Sequence, residues 1–203
     1  MVLTRESGLT LVELMTTLLV LAIVLGLGVP AFRNVVDTNR MAAAVNEFVA
    51  AVHFARSEAV KRQANTTLCA SRDGAGCTEA AGLREGWIVF VDGVPPALPN
   101  GVVDDADIVL QSRGALPETI DTVAVDPGVG LQYLSFAPSG FRQQIAGLAP
   151  VVNVLLCDGR GDKDTGGGVA AGRRLFVSPT GRPQVYRMRA DVESGPLGGC
   201  GAR

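Results

Sequence analysis

A chain of 203 residues, 47% of them hydrophobic, is long enough for one domain with a real core plus a stalk, and too short for several independent domains. The formal net charge of −2 neither selects nor excludes a nucleic-acid partner. Four cysteines without a CxxC pair, beside a single histidine, argue against a zinc site.

The apolar excess is concentrated before Pro30. Residues 9–29 form a run of about 20 residues, which as a helix spans the roughly 30 Å hydrocarbon core of a bilayer. Thr10, Glu13 and Thr17 recur at helical spacing and share one face. An ionised Glu13 at membrane depth is costly unless paired, so it needs a partner. The leader is only eight residues and ends in Gly8, ahead of the apolar run. A secretory signal peptide has the opposite order, with its small-residue cleavage site after the apolar segment.

Gly8-Leu9-Thr10-Leu11-Val12-Glu13-Leu14-Met15 resembles the processing site of type IV pilins and pseudopilins, with Leu9 where that family usually has Phe. The resemblance implies cleavage by prepilin peptidase after Gly8 and N-methylation of Leu9. It also gives Glu13 an assembly role: its carboxylate would neutralise the amino terminus of a neighbouring subunit, making two costly charges tolerable together. A plain signal anchor is the alternative, and it leaves Glu13 unexplained.

Pro30 removes a backbone donor and is expected to kink the helix or end its first half. Beyond it, Val45, Phe48, Val52, Ala55 and Ala59 follow spacings of three and four, the buried stripe of an amphipathic helix. Glu58 and Arg62 form a favourable i, i+4 pair. One helix is therefore expected over residues 9–63, its second half packed on the head. His53 lies on it with no nucleophile nearby and reads as a surface or interface residue.

From Asn65 onward short apolar runs alternate with turn signals. Strands are expected at 66–70, 87–91, 108–111, 122–125, 132–136, 151–157, 174–178 and 184–188. The fold class is α+β: a long N-terminal helix, transmembrane half plus amphipathic half, packed on an antiparallel β head. The expected segments are a leader at 1–8, a transmembrane helix at 9–29, a stem at 30–63 and a periplasmic head at 64–203.

Four further blocks resemble the GspH/FimT family of minor pilins: Ala55-Arg56-Ser57-Glu58-Ala59-Val60-Lys61-Arg62, Leu68-Cys69-Ala70-Ser71-Arg72-Asp73-Gly74, Gly86-Trp87-Ile88-Val89-Phe90-Val91-Asp92 and Ser178-Pro179-Thr180-Gly181-Arg182. The resemblance implies a single-pass inner-membrane protein with a periplasmic head, incorporated at or near the tip of a pilus or pseudopilus. Its partners would be other pilins or pseudopilins, the prepilin peptidase and the inner-membrane assembly platform. A minor type IV pilin that primes assembly, a type II secretion pseudopilin and a DNA-binding pilin for transformation share these motifs.

An even cysteine count in an exported chain favours two disulfides. Three pairings are formally possible. Cys69 and Cys77 flank a short loop around Asp73-Gly74, which favours joining them and leaves Cys157 with Cys200.

Asp158, Asp162 and Asp164 stand in a glycine-rich loop and offer hard oxygens to a cation, but the spacing is not that of an EF-hand. A mobile, solvated loop is the expectation, with no metal and no cofactor. The glycines do not form a P-loop. Charge is two-sided: residues 157–203 carry eight basic residues against five acids, and residues 64–156 carry four against ten. Some members of the family bind DNA through Gly-Arg-x-Arg near the C-terminus. Gly181-Arg182-Pro183-Gln184 lines up with it, with Gln184 replacing the second arginine. On a continuous strand Arg187 and Arg189 would share one face and could compensate, with Arg182 on the other. A solvated, charge-protected edge strand explains the same residues. No catalytic set or cofactor fingerprint is visible, and the chain reads as a structural protein, not an enzyme.

Overall fold

The computed structural model describes residues 10–79, 82–93, 96–126, 128 and 130–201. Among the described residues a helix, α1 (Leu11–Arg62), is followed by nine strands and a five-residue helix, α2 (Arg189–Glu193). The strands are β1 (Thr66–Ala70), β2 (Trp87–Val91), β3 (Ile108–Arg113), β4 (Ile120–Asp126), β5 (Tyr133–Phe136), β6 (Arg142–Gln143), β7 (Asn153–Asp158), β8 (Val169–Val177) and β9 (Pro183–Met188). The chain divides into two compact units after Thr38, so α1 contributes to both.

Local chemistry sets both ends of α1. The Glu13 amide donates to Thr10 Oγ1 at 3.2 Å, satisfying one free donor of the first turn. At the other end Gln63 takes φ +52°, the left-handed conformation that terminates helices, and Lys61 and Arg62 occupy the last turn. Pro30 does not end the helix, which runs through it. Proline removes a single N–H, a local loss that the turns on either side outlast.

Within the second unit, the α1 stripe Met41, Val45, Phe48, Val52, Ala55 and Ala59 is buried. It packs against two antiparallel sheets, ordered β3-β2-β1-β5-β6 and β4-β7-β8-β9. The alternation of side chains along each strand assigns both faces of the first sheet. Leu68, Trp87, Val89, Leu134 and Phe136 join the α1 core. Cys69, Ile88, Phe90 and Tyr133 form a second core with Leu131 and Ile145. Burial on both faces explains why β2 reads as the unbroken apolar run Trp87-Ile88-Val89-Phe90-Val91. The second sheet does the same: Val154, Leu156, Leu175 and Val177 face α1, while Leu155, Cys157 and Ala170 face Val192 of α2 and Cys200.

Two departures from the expected strands have physical causes. β8 begins at Val169 rather than 174, because its first half pairs through an irregularity between Val169 and Arg174. β6 is absent from the expected strands because two residues are too short to carry an alternation, whereas β9 ends at Met188 as expected before the chain turns into α2 at Arg189.

Candidate functional site

Gly8 and Leu9 lie outside the described residues. Within the first unit, Glu13 sits in the first turn of α1, and large apolar side chains from Leu11 to Val29 are exposed around it. This helix is long and apolar enough to cross a membrane. Thr16 and Thr17 return their hydroxyls to the carbonyls of Glu13 and Leu14 at 3.0 and 2.9 Å, which hides those polar groups from an apolar medium. Glu13 is the one ionisable group between Leu11 and Val29, and among the described residues nothing pairs with its carboxylate.

In the second unit the cysteines form Cys69–Cys77 and Cys157–Cys200 disulfides, each with Cα atoms 5.6 Å apart. The first closes a turn organised by Asp73, whose Oδ1 accepts the Ala75 and Gly76 amides at 2.9 and 3.2 Å. Those amide bonds, with one from Ser71, hold the Asp73 carboxyl below the usual carboxylate range. The second disulfide ties the C-terminal tail to β7. The Cys200 amide donates to Asp162 Oδ1 at 2.6 Å, and the Asp162 amide donates to the Gly201 carbonyl at 3.1 Å.

The aspartate loop is solvated over residues 163–167, and its carboxylates are engaged internally. Asp158 accepts Arg160 Nη2 at 2.6 Å, Asp162 holds the tail, and Asp164 accepts the Gly166 and Gly168 amides at 2.7 and 3.1 Å. Each carboxylate works as a local clamp for the chain's own donors. Among the described residues no three His, Cys, Asp or Glu side chains converge on a common ion position.

The basic residues of the C-terminal quarter do not form the strand face expected from alternation. Arg189 is the first residue of α2, not of a strand, and pairs with Glu193 at 2.5 Å. Arg187 remains exposed near the end of β9, and Arg182 lies in the turn before it, five residues or about 16 Å of strand away. Arg174 lies over the Tyr186 ring at 4.0 Å. Arg173 is buried, and its Nη1 donates to the carbonyls of Ala170, Ala171 and Gly172. It serves carbonyls at the β8 irregularity, where ladder pairing is disturbed. Burial lowers its pKa, and the nearby Arg187 and Arg160 add to that. Arg173 and Arg174 are thus engaged within the fold, while Lys163, Arg182 and Arg187 stay exposed.

Arg182 has other company. Arg56 Nε donates to the Gly140 carbonyl at 2.9 Å, and a Cβ on Gly181 would lie 2.9 Å from that same oxygen and 3.2 Å from Arg56 Cδ. The Arg142 amide donates to Pro179 O at 3.0 Å, and its Nη1 to Val177 O at 3.0 Å. Arg56 and Arg142 thus meet at the turns 137–141 and 178–182, the second of which contains Arg182. No sequence periodicity signals this, because the three residues come from distant segments.

Residues 44–181, more than half of the chain, match the family described as type II transport protein GspH. This chain belongs to the GspH family. It is a minor pilin or pseudopilin of the GspH/FimT kind, with the pilin arrangement of a long N-terminal helix followed by antiparallel sheets. Two crystal forms of the type IV minor pilin FimU from Pseudomonas aeruginosa (strain PAO1) are similar. One is 21% identical with a TM-score of 0.48, over 73% of this chain and 89% of FimU. The other is 22% identical with a TM-score of 0.44, over 71% and 90%. The search of curated proteins found no match. The GspH match spans the packed part of α1 and both sheets as far as the Gly181 turn. It leaves outside it the Glu13 end of α1 and the tail fastened by Cys200.

Proposed function

We propose that this GspH-family protein is a minor type IV pilin, cleaved after Gly8 by prepilin peptidase, methylated at Leu9, and built into the fibre at or near its tip to prime assembly. One observation carries the reading: Glu13 stands in an exposed apolar helix with its carboxylate unpaired among the described residues. A carboxylate entering an apolar helix bundle needs a cation, and the new amino terminus of a neighbouring subunit supplies one. The precursor would be anchored in the inner membrane with its head in the periplasm. Assembly would need other pilins, the peptidase and the inner-membrane platform. The energy would come from a separate motor, since the chain carries no nucleotide-binding motif.

Mass spectrometry of the mature N-terminus tests the processing step, with a methylated chain beginning at Leu9 expected. Glu13→Ala should leave cleavage largely intact and reduce recovery in sheared fibres at least about tenfold, as expected for an unpaired charge costing more than about 1.4 kcal/mol. Normal incorporation of that variant would refute the role of Glu13. The family description favours a second reading, a minor pseudopilin of a type II secretion system. A deletion strain separates the two: loss of surface pili supports the first, and loss of secretion with pili intact supports the second. The nucleic-acid reading is weaker geometrically, because Arg189 is ion-paired and shares no strand face with Arg187.

A further inference from the structure

The sequence contains a single Asn-Gly pair, Asn100-Gly101, and it lies in the connection between β2 and β3. Asn-Gly is the pair most prone to lose the side-chain amide. The glycine nitrogen attacks the asparagine side-chain carbonyl and closes a five-membered ring, and no side chain shields that nitrogen. Glycine at 101 is required by the fold. Gly101 has φ +74°, and a Cβ on it would lie 3.0 Å from Leu131 Cδ2 and 3.1 Å from Ile145 Cδ1. An unshielded nitrogen is therefore fixed one residue after an exposed asparagine.

The surroundings supply the groups this attack needs. The Gly101 amide donates to both oxygens of Asp92, at 3.3 Å to Oδ1 and 3.1 Å to Oδ2. Asp92 is 1% exposed and is held in place by the Thr67 hydroxyl at 2.7 Å and the Asn100 amide at 2.8 Å. Burial raises its pKa, which makes its carboxylate a stronger base than that of an exposed aspartate. On the electrophile, Asn100 Oδ1 accepts the Val102 amide at 2.8 Å. That donor polarises the carbonyl and stabilises the negative charge that grows on its oxygen during attack. Asn100 itself is exposed, so its ammonia departs into solvent.

We infer that Asn100 is a self-modification site, converted by its own fold to a carboxylate with Asp92 as the base. Asp92 takes the Gly101 amide proton as that nitrogen bonds to Asn100 Cγ. The tetrahedral intermediate then receives the proton on Asn100 Nδ2 and expels ammonia, leaving a cyclic imide. Water opens the imide. One water is consumed and one ammonia released, with no oxidant or reductant. Opening at Cγ gives an ordinary aspartate at position 100, whose carboxylate still accepts the Val102 amide, so the turn survives. Opening at the main-chain carbonyl would insert a methylene beside buried Gly101, against Leu131 and Ile145. The conversion adds one negative charge to a connection that already carries Asp104, Asp105 and Asp107. It belongs to the head alone, so the inference stands or falls independently of the Glu13 role.

The test is peptide mapping by mass spectrometry of the full-length chain in neutral detergent. Incubation in heavy-oxygen water marks only the residues converted during the experiment. Asn100 in the folded wild type should convert at least about tenfold faster than in the same chain unfolded in urea, as expected of a positioned general base. Asp92→Asn should lose that acceleration while folded, with folding checked by the fluorescence of Trp87, the only tryptophan. In urea, where no base is positioned, the variant should match the wild type. Asn100→Gln, whose ring would be six-membered, should stay unmarked. The inference is overturned if the folded wild type does not reach that ratio over the unfolded chain, a comparison that needs no variant. It is likewise overturned if folded Asp92→Asn converts at the wild-type rate.

Discussion

Gly172 lies directly against Cys200: a Cβ built on Gly172 would stand 2.4 Å from the Cys200 sulfur and 3.1 Å from the Leu156 carbonyl. A single methyl therefore cannot share this space with the Cys157–Cys200 disulfide, because backbone on one side prevents relief. Gly172→Ala should displace the tail from β7. Its signature would be two maleimide-reactive thiols in the native protein, where the wild type shows none. A fully oxidised variant of unchanged stability would mean that the tail can sit elsewhere.

The two disulfides should differ in worth. They close loops of 8 and 43 residues, and the chain-entropy model then gives about 2.5 kcal/mol for Cys69–Cys77 and about 4 kcal/mol for Cys157–Cys200. Replacing each pair by serine and comparing urea unfolding in detergent measures the difference. The larger loss should fall on the Cys157/Cys200 double variant, which also uncovers Val192 and Leu155.

Which parts of this were legible in the sequence follows from where the information resides. β1 and β2 have the limits expected, because short β-prone runs between turn residues carry their own boundaries. The α1 stripe was legible because helical spacing is local. The first half of β8, Val169-Ala170-Ala171-Gly172, escaped notice because small residues after three glycines carry no strand signal. α2 was hidden for a related reason: Met188 provides no side-chain cap, and five residues cannot establish a period. That omission placed Arg189 on a strand it never joins. The meeting of Arg56 and Arg142 with the turn that carries Arg182 was beyond sequence reading, since only the fold brings the three segments together.

Phe48 is the central contact between α1 and the first sheet. Its ring meets Trp87 edge-on, with centroids 5.6 Å apart and planes at 87°, and both side chains are buried. Phe48→Ala removes that contact and leaves a cavity, at a cost of about 3–5 kcal/mol. Chemical denaturation monitored by Trp87, the only tryptophan, reports the loss directly. A cost below about 1 kcal/mol would mean that α1 repacks freely on the sheet, contrary to the close packing seen here.

Asp92 makes stability depend on pH in a direction opposite to most carboxylates. It is buried, and that burial raises its pKa above the ordinary aspartate value despite hydrogen bonds from Thr67, Asn100 and Gly101; the charge on Asp107 pushes the same way. A group with a raised folded-state pKa favours the fold below its unfolded value, and that benefit disappears as pH rises through the folded one. Once ionised, Asp92 therefore works against the head, and lowering the pH relieves it. Asp92→Asn keeps an oxygen acceptor for the Asn100 and Gly101 amides, and its amide can donate to Thr67 once that hydroxyl turns toward Ser135. The variant should lack the pH response. As pH falls from 7 toward 4, unfolding free energies of the wild type should gain on those of Asp92→Asn. Glu58 and Asp73, whose pKa values are lowered by Arg62 and by the Ala75 amide, lose their contributions at the acid end in both proteins and cancel in the difference. Parallel pH profiles for the two proteins would show that water or loop movement has already relieved the burial of Asp92.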